Sequence, residues 1–79
     1  MAIDNAIYRD RITITPDVMA GKPVVKGTRI PVETVLAHLA DSPDLKDVLA
    51  AFPRLTVEDV KACLDFATQS VRTSRRRKI

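Results

Sequence analysis

The stretch PVETVLAHLADSPDLKDVLAAFPRLTVEDVKACLDFATQSV, residues 31–71, decides the fold. Apolar side chains recur in it at i, i+3, i+4 and i+7, first as Val32, Val35, Leu36 and Leu39, then as Leu45, Val48, Leu49 and Phe52. That spacing puts each set on one face of a helix. Val57, Val60, Leu64, Ala67 and Val71 follow in alternating steps of three and four, which predicts a third helix with one core-facing stripe. The predicted helices span 31–41, 43–51 and 57–71. Pro31 suits a first helical turn, where its missing N–H costs nothing. Ser42 reads as the N-cap of the second helix, with Pro43 at its first position. Pro53-Arg54-Leu55 is a turn. Thr56 is placed to cap the third helix, and Asp59, three residues on, can close a variant of the capping box.

Outward from the helices, Arg11-Ile12-Thr13-Ile14-Thr15 alternates polar and β-branched apolar residues, the period of a half-buried strand. Pro16-Asp17 stops it, and Val18-Met19-Ala20-Gly21 reads as a turn. Lys22-Pro23-Val24-Val25 can form a second short strand, with a bend at Gly27-Thr28. Neither strand forms a sheet alone, so the two predict a ribbon. The expected fold is mainly α: a short N-terminal β-ribbon, then a three-helix domain, then a basic disordered tail. Residues 1–10 read as a flexible N-terminus, 11–71 as the domain and 72–79 as the tail. The second helix, tight turn and third helix have the proportions of a helix-turn-helix. On spacing alone, an ordinary three-helix packing with no nucleic-acid role fits equally.

At 79 residues the chain holds one domain with a small core. Its one cysteine, Cys63, excludes an internal disulfide, and one cysteine with one histidine cannot make a zinc site. No run suits a signal peptide or approaches a membrane span, so a soluble, cytoplasmic protein is expected. The net charge of +3 divides unevenly: of 13 basic residues five lie in 72–79, leaving eight against ten acids in 1–71, or −2. A basic tail on a mildly acidic body suggests an arm for nucleic acid or an acidic protein surface; the alternative is a solvated end. Asp17, Asp41, Asp44 and Asp47 lack metal-loop spacing. There is no Gly-rich phosphate loop, no nucleophile–base pair and no embedded acid pair, so neither an enzyme nor a cofactor is expected. His38 reads as a surface histidine and Cys63 as a small core or interface residue.

Residues 21–32, GKPVVKGTRIPV, strongly resemble the signature of the family known as domain of unknown function 433, and residues 52–60, FPRLTVEDV, are also similar to it. The resemblance covers roughly residues 11–70. It implies a homeodomain-like, winged helix-turn-helix fold. It also implies an antitoxin role similar to that of VapB-type antitoxins, with a PIN-like ribonuclease toxin as partner.

Candidate contacts follow from side-chain chemistry. Lys22 and Lys26 flank a short exposed strand and read as phosphate contacts of a wing. Arg29 reads either as a phosphate or base contact, or as a structural ion pair to Glu58 or Asp59. Thr56, Glu58, Asp59 and Lys61 open the third helix. Its acids disfavour deep entry into the major groove, leaving Arg54 and Lys61 for backbone contacts and Thr56 as a further DNA contact. Phe66 lies off the main stripe and reads as a partner surface, or as a residue covered by the ribbon. Spare apolar surface at Phe66 and an exposed ribbon edge predict a homodimer. Arg72, Arg75, Arg76, Arg77 and Lys78 are expected to enter the carboxylate bowl of a PIN-type nuclease, or to grip DNA phosphates. The expected function is that of a type II antitoxin that neutralises its toxin and binds operator DNA. The alternatives are a stand-alone DNA-binding regulator and a structural adaptor.

Overall fold

The computed structural model describes residues 10–17 and 19–77; most of the expected flexible N-terminus, residues 1–9, lies outside them. Strands β1 (Ile12–Ile14) and β2 (Pro23–Val25) precede three helices, α1 (Val32–Asp41), α2 (Leu45–Ala51) and α3 (Val57–Arg77). A 3-10 turn at Met19–Gly21 joins the strands. It holds two residues in the left-handed region, Ala20 at φ 56° and Gly21 at φ 84°. The strands are antiparallel, with Ile12 opposite Val25 and Ile14 opposite Pro23. Proline stands at the first position of β2, where a missing N–H is tolerated.

The bend after β2 is tight for a local reason. Gly27 has φ 83°, a value that glycine adopts without Cβ strain, and the Thr28 N–H donates to the Val25 carbonyl at 3.0 Å. The Thr28 hydroxyl donates to the same carbonyl at 2.8 Å and accepts from the Ile30 N–H at 3.0 Å. The Val25 N–H then donates to the Ile30 carbonyl at 2.9 Å, and Val24 bridges to Pro31, so the chain enters α1 beside the ribbon.

The core is built from Val25, Val32, Val35, Val48, Leu55, Val60 and Cys63, all buried. Ile12, Ile30, Leu36, Leu39, Leu49, Phe52 and Phe66 pack around them. Branched valines suit a thin interface between a ribbon and short helices, since they fill the space with little rotamer freedom to lose.

Three expectations change. Asp44, not Ser42, caps α2, its carboxylate accepting the Lys46 N–H at 2.9 Å. Ser42 instead closes α1, its N–H donating to the His38 carbonyl at 2.8 Å. The proline that follows favours the extended backbone Ser42 adopts. Second, α3 continues through Arg77 rather than stopping at 71 with a disordered tail. Residues 72–77 contain no glycine or proline, arginine is a good helix former, and positive charge favours a helix C-terminus. Third, the stripe of α3 is not all core. Val60, Ala62 and Cys63 are buried and Phe66 packs inward, whereas Val57 is 36%, Leu64 47% and Val71 61% exposed. The helix rests on α1 and β1 along the line through Asp59, Cys63 and Phe66, roughly a third of a turn from the line through Val57, Leu64 and Val71.

The N-terminus of α3 carries the expected reciprocal cap. The Asp59 N–H donates to the Thr56 hydroxyl oxygen at 3.2 Å, and the Thr56 N–H donates to the Asp59 carboxylate at 3.0 Å. The other Asp59 oxygen accepts from Arg11 at 3.1 Å, which ties the ribbon to α3. Thr56→Ala should cost about 1 kcal/mol. Asp59→Ala should cost more, because it also unpairs Arg11, while Asp59→Asn should fall between. Urea unfolding midpoints measure all three.

Burial pushes the Cys63 thiol up from 9.0 to about 11, and the Asp59 carboxylate beside it pushes the same way. The unfolded thiol loses its proton first, so folding stability should fall as pH rises from about 9 to about 11. Unfolding midpoints across that range should show the fall in the native chain and a shallower one in Cys63→Ala.

Candidate nucleic-acid interface

The Gly27 bend and the turn between α2 and α3 come together in space. The Arg54 guanidinium donates to the Gly27 carbonyl at 3.1 Å, across 27 positions of sequence. Around this bond lies a shallow cavity of about 570 Å³ lined by Gly27, Thr28, Arg29, Ile30 and Arg54. Arg29 is exposed on its wall and Lys26 is exposed on the bend itself. Among the described residues no carboxylate pairs with Lys26, Arg29 or Arg54. Two guanidinium groups and an ammonium group therefore lie on one bend and its clamp, in a form that suits phosphate.

The structural ion pair considered for Arg29 is not formed: Arg11 takes Asp59, and Arg29 faces the cavity instead. Arg11 stands just before a strand, a position that by itself gives no sign of a contact with the first turn of α3. Lys22 lies apart from the cavity and pairs with Glu33 at 3.1 Å on the surface. Thr56 is exposed, but its hydroxyl serves the cap. Lys61 is exposed on α3, between the acidic side chains of Glu58 and Asp65. The exposed first turn of α3 is thus acidic, and the basic surface lies on the bend beside it.

Between β1 and α3, Phe66 lines a separate groove of about 330 Å³ with Ile12, Ile14, Ala62 and Asp65. The ribbon covers Phe66 in part, while Ile14 is left mostly exposed at the groove's edge. Arg72 is exposed near the end of the helix. The backbone of Arg75, Arg76 and Arg77 belongs to α3; their side chains, and all of Lys78, lie outside the described residues. His38, expected at the surface, is half-buried, its ring edge-on to Phe52 at 5.6 Å. Its Nδ1 is buried without a hydrogen-bond partner among the described residues. The turn between α2 and α3 brings Phe52 over the end of α1, which the helical period of α1 alone does not reveal. Among the described residues no three His, Cys, Asp or Glu side chains converge as metal ligands. No described helix is long and apolar enough to cross a membrane.

The chain is similar to an uncharacterised protein, y4eO, of Sinorhizobium fredii, with 36% identity over 74 residues. That match takes in 94% of this chain and 34% of the relative, so the chain spans about a third of the relative's length. In structure it is similar to a DUF433 member protein from Anabaena variabilis, with a TM-score of 0.74 and 34% identity over 90% of this chain and 70% of the other. Residues 12–67, which hold the ribbon, the Gly27 bend, Arg54 and the capped start of α3, match the family described as protein of unknown function (DUF433), and the chain belongs to that family.

Proposed function

We propose that this protein is the antitoxin of a type II toxin–antitoxin pair, which binds operator DNA as a dimer and neutralises a PIN-like ribonuclease. The observation that supports DNA binding is the clamp of Arg54 on the Gly27 carbonyl, which gathers Lys26, Arg29 and Arg54 beside the helix-turn-helix-like α2–α3 pair. Phosphate contacts from this bend position the domain, and they spare the acidic first turn of α3 the cost of deep groove entry. Toxin binding belongs to a separate surface. The Phe66 groove offers an apolar anchor, and the basic end of α3 offers guanidinium forks to the carboxylates of a nuclease centre. Two anchors on one helix act together through effective concentration.

Arg29→Ala and Lys26→Ala should each lower affinity for DNA from the upstream region of this gene. Each should also reduce the salt slope of binding by about 0.9 per lost phosphate contact, measured by fluorescence anisotropy. An unchanged slope rejects the bend as the DNA contact. Removing residues 73–79 should leave operator affinity nearly intact and abolish neutralisation of a co-expressed toxin from the neighbouring gene. Full neutralisation with loss of DNA binding would make this segment a DNA arm. Operator binding with no toxin at the neighbouring locus would favour a stand-alone regulator.

A further inference from the structure

We infer that α3 pairs with α3 of a second copy, antiparallel, about a two-fold axis at Leu64. This deepens the dimeric reading above by assigning the surface that carries it, and moves that surface away from Phe66 and the ribbon edge. Val57, Leu64 and Val71 are the apolar side chains α3 leaves open, at 36%, 47% and 61% exposure. Spaced by seven, they drift only about 20° per step and form one line along the helix. From Val57 to Val71 that line runs about 21 Å at 1.5 Å per residue, enough for a helix-pair seam. Thr68 lies on the same face, four residues after Leu64.

The flanks of this line differ. On one side Val60 and Cys63 are buried in the chain's own core and Ala67 is half-buried. On the other stand Glu58, Lys61, Asp65 and Arg72, whose signs run negative, positive, negative, positive. A two-fold axis through Leu64 brings the charged flanks of the two helices against each other. It sets Val57 beside the second copy's Val71, and brings Glu58 within two residues, about 3 Å along the axis, of its Arg72. Lys61 then lies within the same two residues of the second copy's Asp65, a span that the long side chains of Arg72 and Lys61 bridge, and each pairing occurs twice. A parallel pair turns the charged flank of one helix toward the core-bound flank of the other, where those charges find no partner. The antiparallel arrangement also sets the helix dipoles in opposition.

The test is cysteine cross-linking with sedimentation. Leu64→Cys, in Cys63→Ala to remove the native thiol, should oxidise to a disulfide-linked species of twice the 8.7 kDa chain mass. Ile14→Cys in the same background should not. In the native-cysteine chain, Glu58→Arg and Arg72→Glu should each weaken the dimer roughly tenfold by sedimentation equilibrium, and the double variant should restore it. The surface charges lie outside the core, so these variants report even if the Cys63→Ala background folds poorly. Cross-linking at Ile14 instead of Leu64, or a double variant no better than the singles, overturns the pairing while leaving a dimer. A monomeric native chain overturns both pairing and dimer, whereas the anisotropy of Arg29→Ala still judges the DNA contact.

Discussion

Asp59 is the carboxylate on which the arrangement of the chain depends. It is 8% exposed and makes contacts in three directions: the Thr56 N–H, the Arg11 guanidinium and, through its own N–H, the Thr56 hydroxyl. A charge so nearly buried is tolerable only because its oxygens are occupied by donors and it lies at the positive end of a helix. The reciprocal cap starts α3 at one residue and no other. The ion pair aligns that start with the beginning of β1. Since α3 is the longest element and supplies Val60, Ala62 and Cys63 to the core, its placement orients the remaining helices.

The ribbon and helices meet a second time at the Gly27 bend. A left-handed glycine turns the Gly27 carbonyl to where Arg54 can reach it, and the Thr28 hydroxyl closes the bend with hydrogen bonds on both sides. The bend is therefore held from two directions, by its own turn and by the α2–α3 turn. This rigidity matters for recognition, because basic side chains on a fixed backbone lose less entropy on meeting a phosphate than those on a free loop. The Lys22–Glu33 pair, apart from the bend, is solvent-exposed at both ends and contributes little by comparison.

α3 presents three kinds of surface around its axis. One line faces the core, one lines the Phe66 groove beneath the ribbon, and one carries Val57, Leu64 and Val71 to the exterior. Small inward residues such as Ala62 and Cys63 let the helix lie close on the ribbon, which leaves the larger Leu64 outside. A domain of this size has too little volume to bury every apolar side chain of a long helix.

Much of the architecture is local chemistry and was legible in the chain. The ribbon follows from alternation at 11–15, the helices from their apolar period and the start of α3 from Thr56 and Asp59, because each depends on neighbours within one turn. The bend at Gly27 is likewise encoded by one glycine and one threonine. Other features depend on partners distant in sequence and appear only when the chain is folded. The helical period of α3 fits either of two stripes, and contact with α1 and β1 selected the line through Cys63 over the line through Leu64. Arg11 and Arg29 offered the same guanidinium to Asp59. The strand carries Arg11 to within 3.1 Å of the carboxylate, while the left-handed turn at Gly27 directs Arg29 toward Arg54. Side-chain type settles which contacts are chemically available, and the path of the backbone between them settles which are made.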